Sequence, residues 1–200
     1  MSSDEPEYLI PRETAQAVIL AEPDPGWADV YAVEETRIRG ALGESLVELH
    51  HVGSTSVPGL AAKPVIDIVL LVTDSADEDS YAPALQAAGY HFHLREPHWH
   101  EHRLFKRGTP HFATPDHRTG EQAKVNLHVF TAGSIEAHRM LAFRDWLRGH
   151  PADRDLYEST KRTLASRRWE YVQDYADAKA AVVGEIMGRA LAPESSKSSD

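Results

Sequence analysis

Two apolar, β-branched runs separated by a glycine-bearing loop constrain this chain more than any other part of it. The first run covers residues 46–52 and the second 64–72, and between them stand Gly53, Ser54, Thr55, Ser56, Gly59 and Lys63. Runs of this length bounded by Gly and Pro predict strands of one sheet. Gly53 and Gly59 allow positive φ and a close approach of backbone to ligand. Successive N–H groups in such a turn, with the hydroxyls of Ser54, Thr55 and Ser56, make a nest for an anion. The second run carries Asp67 among Val65, Ile66, Ile68 and Val69. An ionised carboxylate there is costly unless it is paired or metal-bound. Asp67 is therefore read as holding a divalent cation against an anion in the loop, or as a general base. The plainer alternative is a buried salt bridge to Lys63 or an arginine. Lys63 precedes Pro64, which biases it to an extended conformation. It is read as a phosphate clamp or as a solvated surface lysine.

The rest of the chain reads as an α/β core followed by helices. Residues 1–16 are expected to form a flexible arm, and 17–21 a short apolar run that is a strand or the lead-in to a helix. Asp24 as N-cap and Pro25 at the first position open a helix. Its face is Trp27, Val30, Tyr31, Val33 and Ile38, and Gly43 stops it. A helix over 77–88 ending at Gly89 and strands over 90–94, 102–106 and 124–130 follow. After Gly133 the pattern is helical: from Ser134 to Arg148, then 153–166 and 170–191. The Ser-rich end, 193–200, is expected to be disordered. The fold class is α/β, a mixed β-sheet core with flanking helices and a C-terminal helical segment. Residues 17–192 make one domain, with 17–133 as its core and 134–192 as its helices.

Composition narrows the function classes. No cysteine occurs, which excludes disulfides, thiolate metal sites and cysteine nucleophiles. A net charge of −10 and a pI near 5.6 argue against general nucleic-acid binding. No apolar run reaches the roughly 18–20 residues of a membrane span, and the acidic, polar start is unlike a secretory signal. A cytoplasmic protein acting on small molecules is the expectation.

Further candidates lie downstream. Seven of the twelve histidines fall in residues 91–117. His98, His100 and His102 would share one face of an extended segment, as would His91 and His93, and imidazole pairs on a strand can bind metals. A solvated loop or hairpin is the simpler reading. In an extended 102–107 segment, Arg103 and Lys106 are candidates to meet a triphosphate, or else they protect an edge strand. His128, flanked by Leu127 and Val129, is a candidate ligand or base, with Asn126 orienting a substrate or water. Tyr157, Lys161, Arg167 and Arg168 fall on amphipathic helices, where surface positions are the default; a Lys161 that faces the cleft is the lesser option.

The elements Gly53-Ser54-Thr55, Pro58-Gly59-Leu60, Lys63-Pro64 and Ile66-Asp67-Ile68 resemble the signature of the GrpB (UPF0157) family, a branch of the nucleotidyltransferase superfamily. The resemblance extends to Pro23-Asp24-Pro25-Gly26-Trp27, to Leu127-His128-Val129, and to Phe143-Arg144-Asp145-Trp146-Leu147-Arg148 with His150-Pro151. Tyr157, Lys161 and the Tyr175 to Lys179 spacing also fit, so it covers roughly residues 18 to 191. It implies a nucleotidyltransferase-like fold whose C-terminal helices close a cleft. It further implies a nucleoside triphosphate or another phosphorylated small molecule bound at Gly53, Ser54, Thr55, Lys63, Arg103, Lys106 and Asn126. The superfamily's second strand acid would stand at Val69 and its third in 125–130, where Asn126, His128 and Phe130 share a face. One carboxylate cannot bridge two metal ions. The resemblance therefore implies a single Mg2+ held by Asp67 and His128, which would also be the catalytic pair. The rival reading is a non-catalytic nucleotide- or partner-binding module that has lost its metal acids.

Overall fold

A computed structural model describes residues 5–10, 18–108 and 123–192. The chain begins its regular structure with a two-residue strand, β1 (Glu7–Tyr8), and the helix α1 (Gly26–Leu42). The Asp24 carboxylate accepts the Gly26 N–H at 2.9 Å, but the N-cap position falls on Pro25, one residue later than expected, and Asp24 precedes it. Gly43, at φ 53°, ends it. The two runs of the motif form β2 (Leu46–Val52) and β3 (Val65–Val72), joined through a 3-10 turn at Ser54–Ser56. A short helix, α2 (Ala82–Ala87), leads to the hairpin β4 (His91–Glu96) and β5 (His102–Arg107). Strand β6 (Lys124–Thr131) precedes four helices: α3 (Ile135–Gly149), α4 (Pro151–Ala165), α5 (Val172–Asp177) and α6 (Ala180–Ala190).

The six strands make one mixed sheet in the order β1-β4-β5-β6-β3-β2. The β3 and β6 strands pair in parallel at its centre, and all other pairs are antiparallel. Side-chain alternation splits β3 between two cores. Ile66, Ile68, Leu70 and Val72 pack with Trp27, Val30 and Ile38 of α1 and Leu85 of α2. Val69 and Leu71 pack on the other face with Val52, Phe130 and Ala137. Beyond the end of that second core, Val57 and Leu60 of the loop join Leu147, Tyr157, Val182 and Ile186 of the C-terminal helices. Those helices thereby close over the loop and the start of β3. Among the described residues no helix is long and apolar enough to cross a membrane.

Four further expectations change. Glu7 and Tyr8 pair with Arg95 and Leu94, so the N-terminal arm contributes an edge strand; residues 1–4 and 11–17 lie outside the described residues. The helix over 77–88 divides into a 3-10 turn at Glu78–Ser80 and α2, because Pro83 lacks an N–H and its ring crowds the carbonyl four residues back. The helix over 170–191 divides at Ala178 and Lys179. His98 and His100 lie in the β4–β5 turn, with positive φ at His100 (54°) and Glu101 (50°), so they do not share an extended face with His102. His111, His117 and the tail 193–200 lie outside the described residues.

The buried Glu34 of α1 ties this helix to the sheet: it accepts the Tyr90 hydroxyl at 2.5 Å and the Arg107 guanidinium at 2.7 Å. Removing one partner of a buried charge pair leaves the other uncompensated. Glu34→Ala is expected to cost about 3 kcal/mol, or roughly 6–12 °C in Tm for a chain of this size. Thermal unfolding of the variant beside Arg107→Ala checks it; the pair should be markedly non-additive.

Candidate functional site

Asp67 sits on the face of β3 that looks toward the C-terminal helices, and the parallel register places Asn126 of β6 beside it. The Asn126 side-chain N–H donates to Asp67 Oδ1 at 2.8 Å. His128 Nε2 lies 3.9 Å from the same oxygen, within reach of its charge but too far for a direct hydrogen bond. Burial alone would raise the Asp67 carboxyl; His128, the Asn126 bond and the positive charge of Lys179 outweigh it and hold the group below the ordinary carboxylate range. Asp67 is therefore ionised, and the fold keeps it so.

Gly53 makes this placement possible. Its backbone stands at φ 68°, ψ −174°, a conformation essentially restricted to glycine. A Cβ at this position would lie 2.3 Å from Asp67 Oδ2. The carboxylate thus rests directly against the loop backbone. Part of the expected nest turns inward: Ser56 N–H donates to Gly53 O and Val57 N–H to Ser54 O, both at 3.2 Å. Thr55 is scaffold, because its hydroxyl donates to Val65 O at 3.1 Å and accepts from His51 Nε2 at 3.0 Å. His51 stacks on Tyr31 at 4.8 Å. Burial, partly offset by the charge of Asp67, lowers its pKa to about 4, so it stays neutral. Ser54 is half-buried and meets the Tyr157 hydroxyl, which burial pushes up to about 12.

The two predicted cations on β5 part company. Lys106 pairs with Asn126 across the strands and lies on the site's side of the sheet. Arg103 projects to the opposite face, where it donates to Glu78 at 2.6 Å. The structure does not bring Arg103 to Asp67, because strand alternation sends neighbours to opposite sides. Lys63 ends the loop, half-buried, just before β3.

Sequence reasoning gave Lys161 a helix surface by default and assigned no role to Lys179, Arg144 or Arg148. Lys161 is 2% exposed, its ammonium donates to Ala61 O, and it lies 4.8 Å from the centre of the Tyr157 ring. Burial, with the nearby charge of Lys179, brings its pKa down to about 7. Lys179 lies 4.9 Å from the centre of the Tyr175 ring; burial lowers its pKa, and Asp67 opposes that shift. From α3, Arg144 donates to His51 O at 3.0 Å and Arg148 to Ser56 O at 2.7 Å. Glu158 accepts the Ala61 N–H at 2.9 Å, so α4 holds Ala61 through both its N–H and its carbonyl. A signal existed: Tyr157, Lys161 and Leu164 fall at i, i+4 and i+7, and a lysine inside an apolar stripe departs from a solvated face.

A family model described as GrpB protein matches residues 17–189. The chain belongs to the GrpB family. It is 51% identical over 176 residues to a UPF0157 protein of Halalkalibacterium halodurans, an overlap covering 88% of this chain and 84% of that one. It is 43% identical over 171 residues to a UPF0157 protein of Streptomyces coelicolor, covering 86% and 83%. The crystal structure of conserved protein GrpB from Enterococcus faecalis is similar at a TM-score of 0.69 and 27% identity, over 86% of this chain and 96% of that one. In this GrpB chain, no group of three or more potential metal-ligating His, Asp or Glu side chains occurs among the described residues.

The close contact between Gly53 and Asp67 yields a test. Gly53→Ala is expected to cost about 2–4 kcal/mol through strain and overlap. Part of that cost should vanish in an Asp67→Ala background, where the oxygen it meets is gone. Equilibrium unfolding of the two single variants and the double variant measures the coupling.

Proposed function

We propose that this GrpB protein binds a nucleoside triphosphate, with phosphates at Gly53 and Ser54 and near Lys161 and Lys179, and transfers the nucleotidyl group to a small-molecule acceptor. The observation that carries the reading is the convergence of those two lysines on the glycine loop. Neither has a carboxylate within salt-bridge distance among the described residues, and the chain as a whole is acidic. Two enclosed lysines with no carboxylate in direct contact, one of them already facing Asp67, suit a multiply charged phosphate ligand. Nearby, the Tyr175 hydroxyl is buried without a hydrogen-bond partner among the described residues. A group of that kind invites a ligand contact.

Magnesium takes oxygen ligands, often one or two carboxylates completed by substrate phosphates. Asp67 fits that role as one such carboxylate, whereas Val69 leaves no bridging acid for a second ion. The ion would neutralise phosphate charge. His128 suits proton chemistry better than magnesium ligation: it would accept the acceptor's proton as that oxygen attacks the α-phosphorus and pyrophosphate departs. Asn126 orients Asp67. The rival, a module that binds without turnover, is favoured by the valine at position 69.

Thermal unfolding with each ribonucleoside triphosphate and magnesium tests binding. Ligand at about 100 times its Kd should add roughly 2.7 kcal/mol, or about 5–10 °C. Asp67→Ala and Lys179→Met should weaken the shift. Absence of any shift would remove the nucleotide reading, and a shift without Asp67-dependent pyrophosphate release would leave the binding module.

Affinity should also depend on pH in a defined direction. Lys161 faces Lys179, Glu158, Arg162 and the Tyr157 ring, with its pKa lowered to about 7. A bound anion favours its charged form, so above pH about 7 binding must take up a proton. Affinity should then fall, by at most about tenfold per pH unit. Calorimetric titration in two buffers of different ionisation enthalpy reads the proton uptake, which Lys161→Met should abolish.

A further inference from the structure

The main chain of the glycine loop is held from outside by the C-terminal helices. On α3, Arg144 donates to His51 O at 3.0 Å, and Arg148 donates twice to Ser56 O, from Nε at 3.1 Å and from Nη2 at 2.7 Å. Asp145 stands with the two arginines. It accepts a two-bond fork from Arg144 at 2.8 and 2.9 Å and lies 3.5 Å from Arg148. Both guanidinium groups thus turn their donors to loop carbonyls and to one carboxylate. An arginine used in this way fixes backbone position independently of the loop's own side chains.

The span between these two clamps contains the turn that most needs holding. Gly53 sits at φ 68°, ψ −174°, and a rare backbone conformation persists only where its surroundings over-determine it. Arg148 reaches Gly53 through Ser56, whose N–H and Oγ both donate to Gly53 O, at 3.2 and 2.6 Å. Arg144 fixes the other flank, at the end of β2. With Gly53 O tied to Ser56, the Ser54 N–H of the same planar peptide points the opposite way. That N–H has no acceptor among the described residues. The clamp therefore sets the direction of a donor that the chain itself leaves unused.

We propose that Arg144 and Arg148 are positioning residues: they hold the Gly53–Ser54 turn against Asp67 in the shape that receives a phosphate chain, without touching the ligand. This deepens the nucleotide-binding reading and rests on it for its purpose. A site fixed before the ligand arrives avoids an ordering cost on binding. The role also accounts for cations placed on neutral carbonyls beside the site. Their contribution is geometric, so a lysine of equal charge is no substitute for the guanidinium fork.

Two readouts on the full chain test it. Amide hydrogen exchange, followed by NMR without a ligand, should be faster at Ser56 and Val57 in Arg148→Met, since those N–H groups bond Gly53 O and Ser54 O. Calorimetric titration with inorganic tripolyphosphate and magnesium, where every variant is folded, reads the site. Its Kd should weaken by roughly 10-fold or more in Arg144→Met and Arg148→Met, and Arg148→Lys should not restore it. Arg139→Met removes an exposed cation from the same helix and should bind as wild type. If the more enclosed Arg144 variant does not fold, Arg148, with 41% of its side chain exposed, carries the test. Wild-type affinity in Arg148→Met overturns the proposal and leaves the arginine a structural role. Full recovery by lysine overturns it too, since charge alone would then be enough. Unchanged exchange at Ser56 and Val57 overturns the clamp whatever binds. Failure of the phosphate reading has its own signature, a wild type that binds no tripolyphosphate; faster exchange in the variants would then withdraw the positioning role and leave only the clamp.

Discussion

A carboxylate in the middle of a valine- and isoleucine-rich strand is the constraint on which the rest of this molecule depends. Burial opposes the charge on Asp67, and the surroundings answer with an amide, an imidazole and an ammonium. They come from two separate parts of the chain: Asn126 and His128 from β6, Lys179 from the junction of α5 and α6. Gly53 supplies the remaining condition by having no side chain where the carboxylate lies. Remove the charge, and much of the arrangement of this end of the sheet loses its electrostatic reason.

The sheet separates two kinds of cation by its alternation. On the side of α1 and α2, Arg103 and Arg107 bond Glu78 and Glu34, and these pairs serve the architecture. On the other side, the lysines reach a backbone carbonyl and aromatic faces instead of carboxylates. The distinction is energetic. A paired buried arginine has already recovered its desolvation cost, whereas Lys161 carries that cost as a lowered pKa. Anion recognition draws on the second kind.

The strands of the motif were legible because their period and their glycine boundaries agree: the first run coincides with β2, and the second differs from β3 by one residue. The face shared by Asp67, Asn126 and His128 was legible too, since alternation in two adjacent parallel strands fixes it once the strands pair in register. Thr55 and Arg103 were harder to place. A threonine in a turn can point at ligand or at carbonyl, and only the three-dimensional position of His51 and Val65 decides. Lys161 was given a helix surface by default, with the cleft as the lesser option, and Lys179 only a place in the family resemblance, because a helical pattern shows which residues share a face but not what that face meets. The division of the last helix at Lys179 has no Pro or Gly to announce it. The chain's membership in the GrpB family was visible in the same loop residues that organise the site.

The Asp67–Asn126 bond joins residues 59 positions apart, through a parallel pairing at the centre of the sheet. Lys179 lies further along still. During synthesis from the N-terminus, β2, the glycine loop and β3 emerge long before the groups that neutralise the aspartate. The hairpin of β2 and β3 alone therefore carries an uncompensated charge, which disfavours its burial. Only when the last helices arrive can the apolar loop residues Val57 and Leu60 be covered. A chain cut short of α6 would still carry every group of the charged centre, Lys179 included, but would leave Val57 and Leu60 without Val182 and Ile186 to cover them.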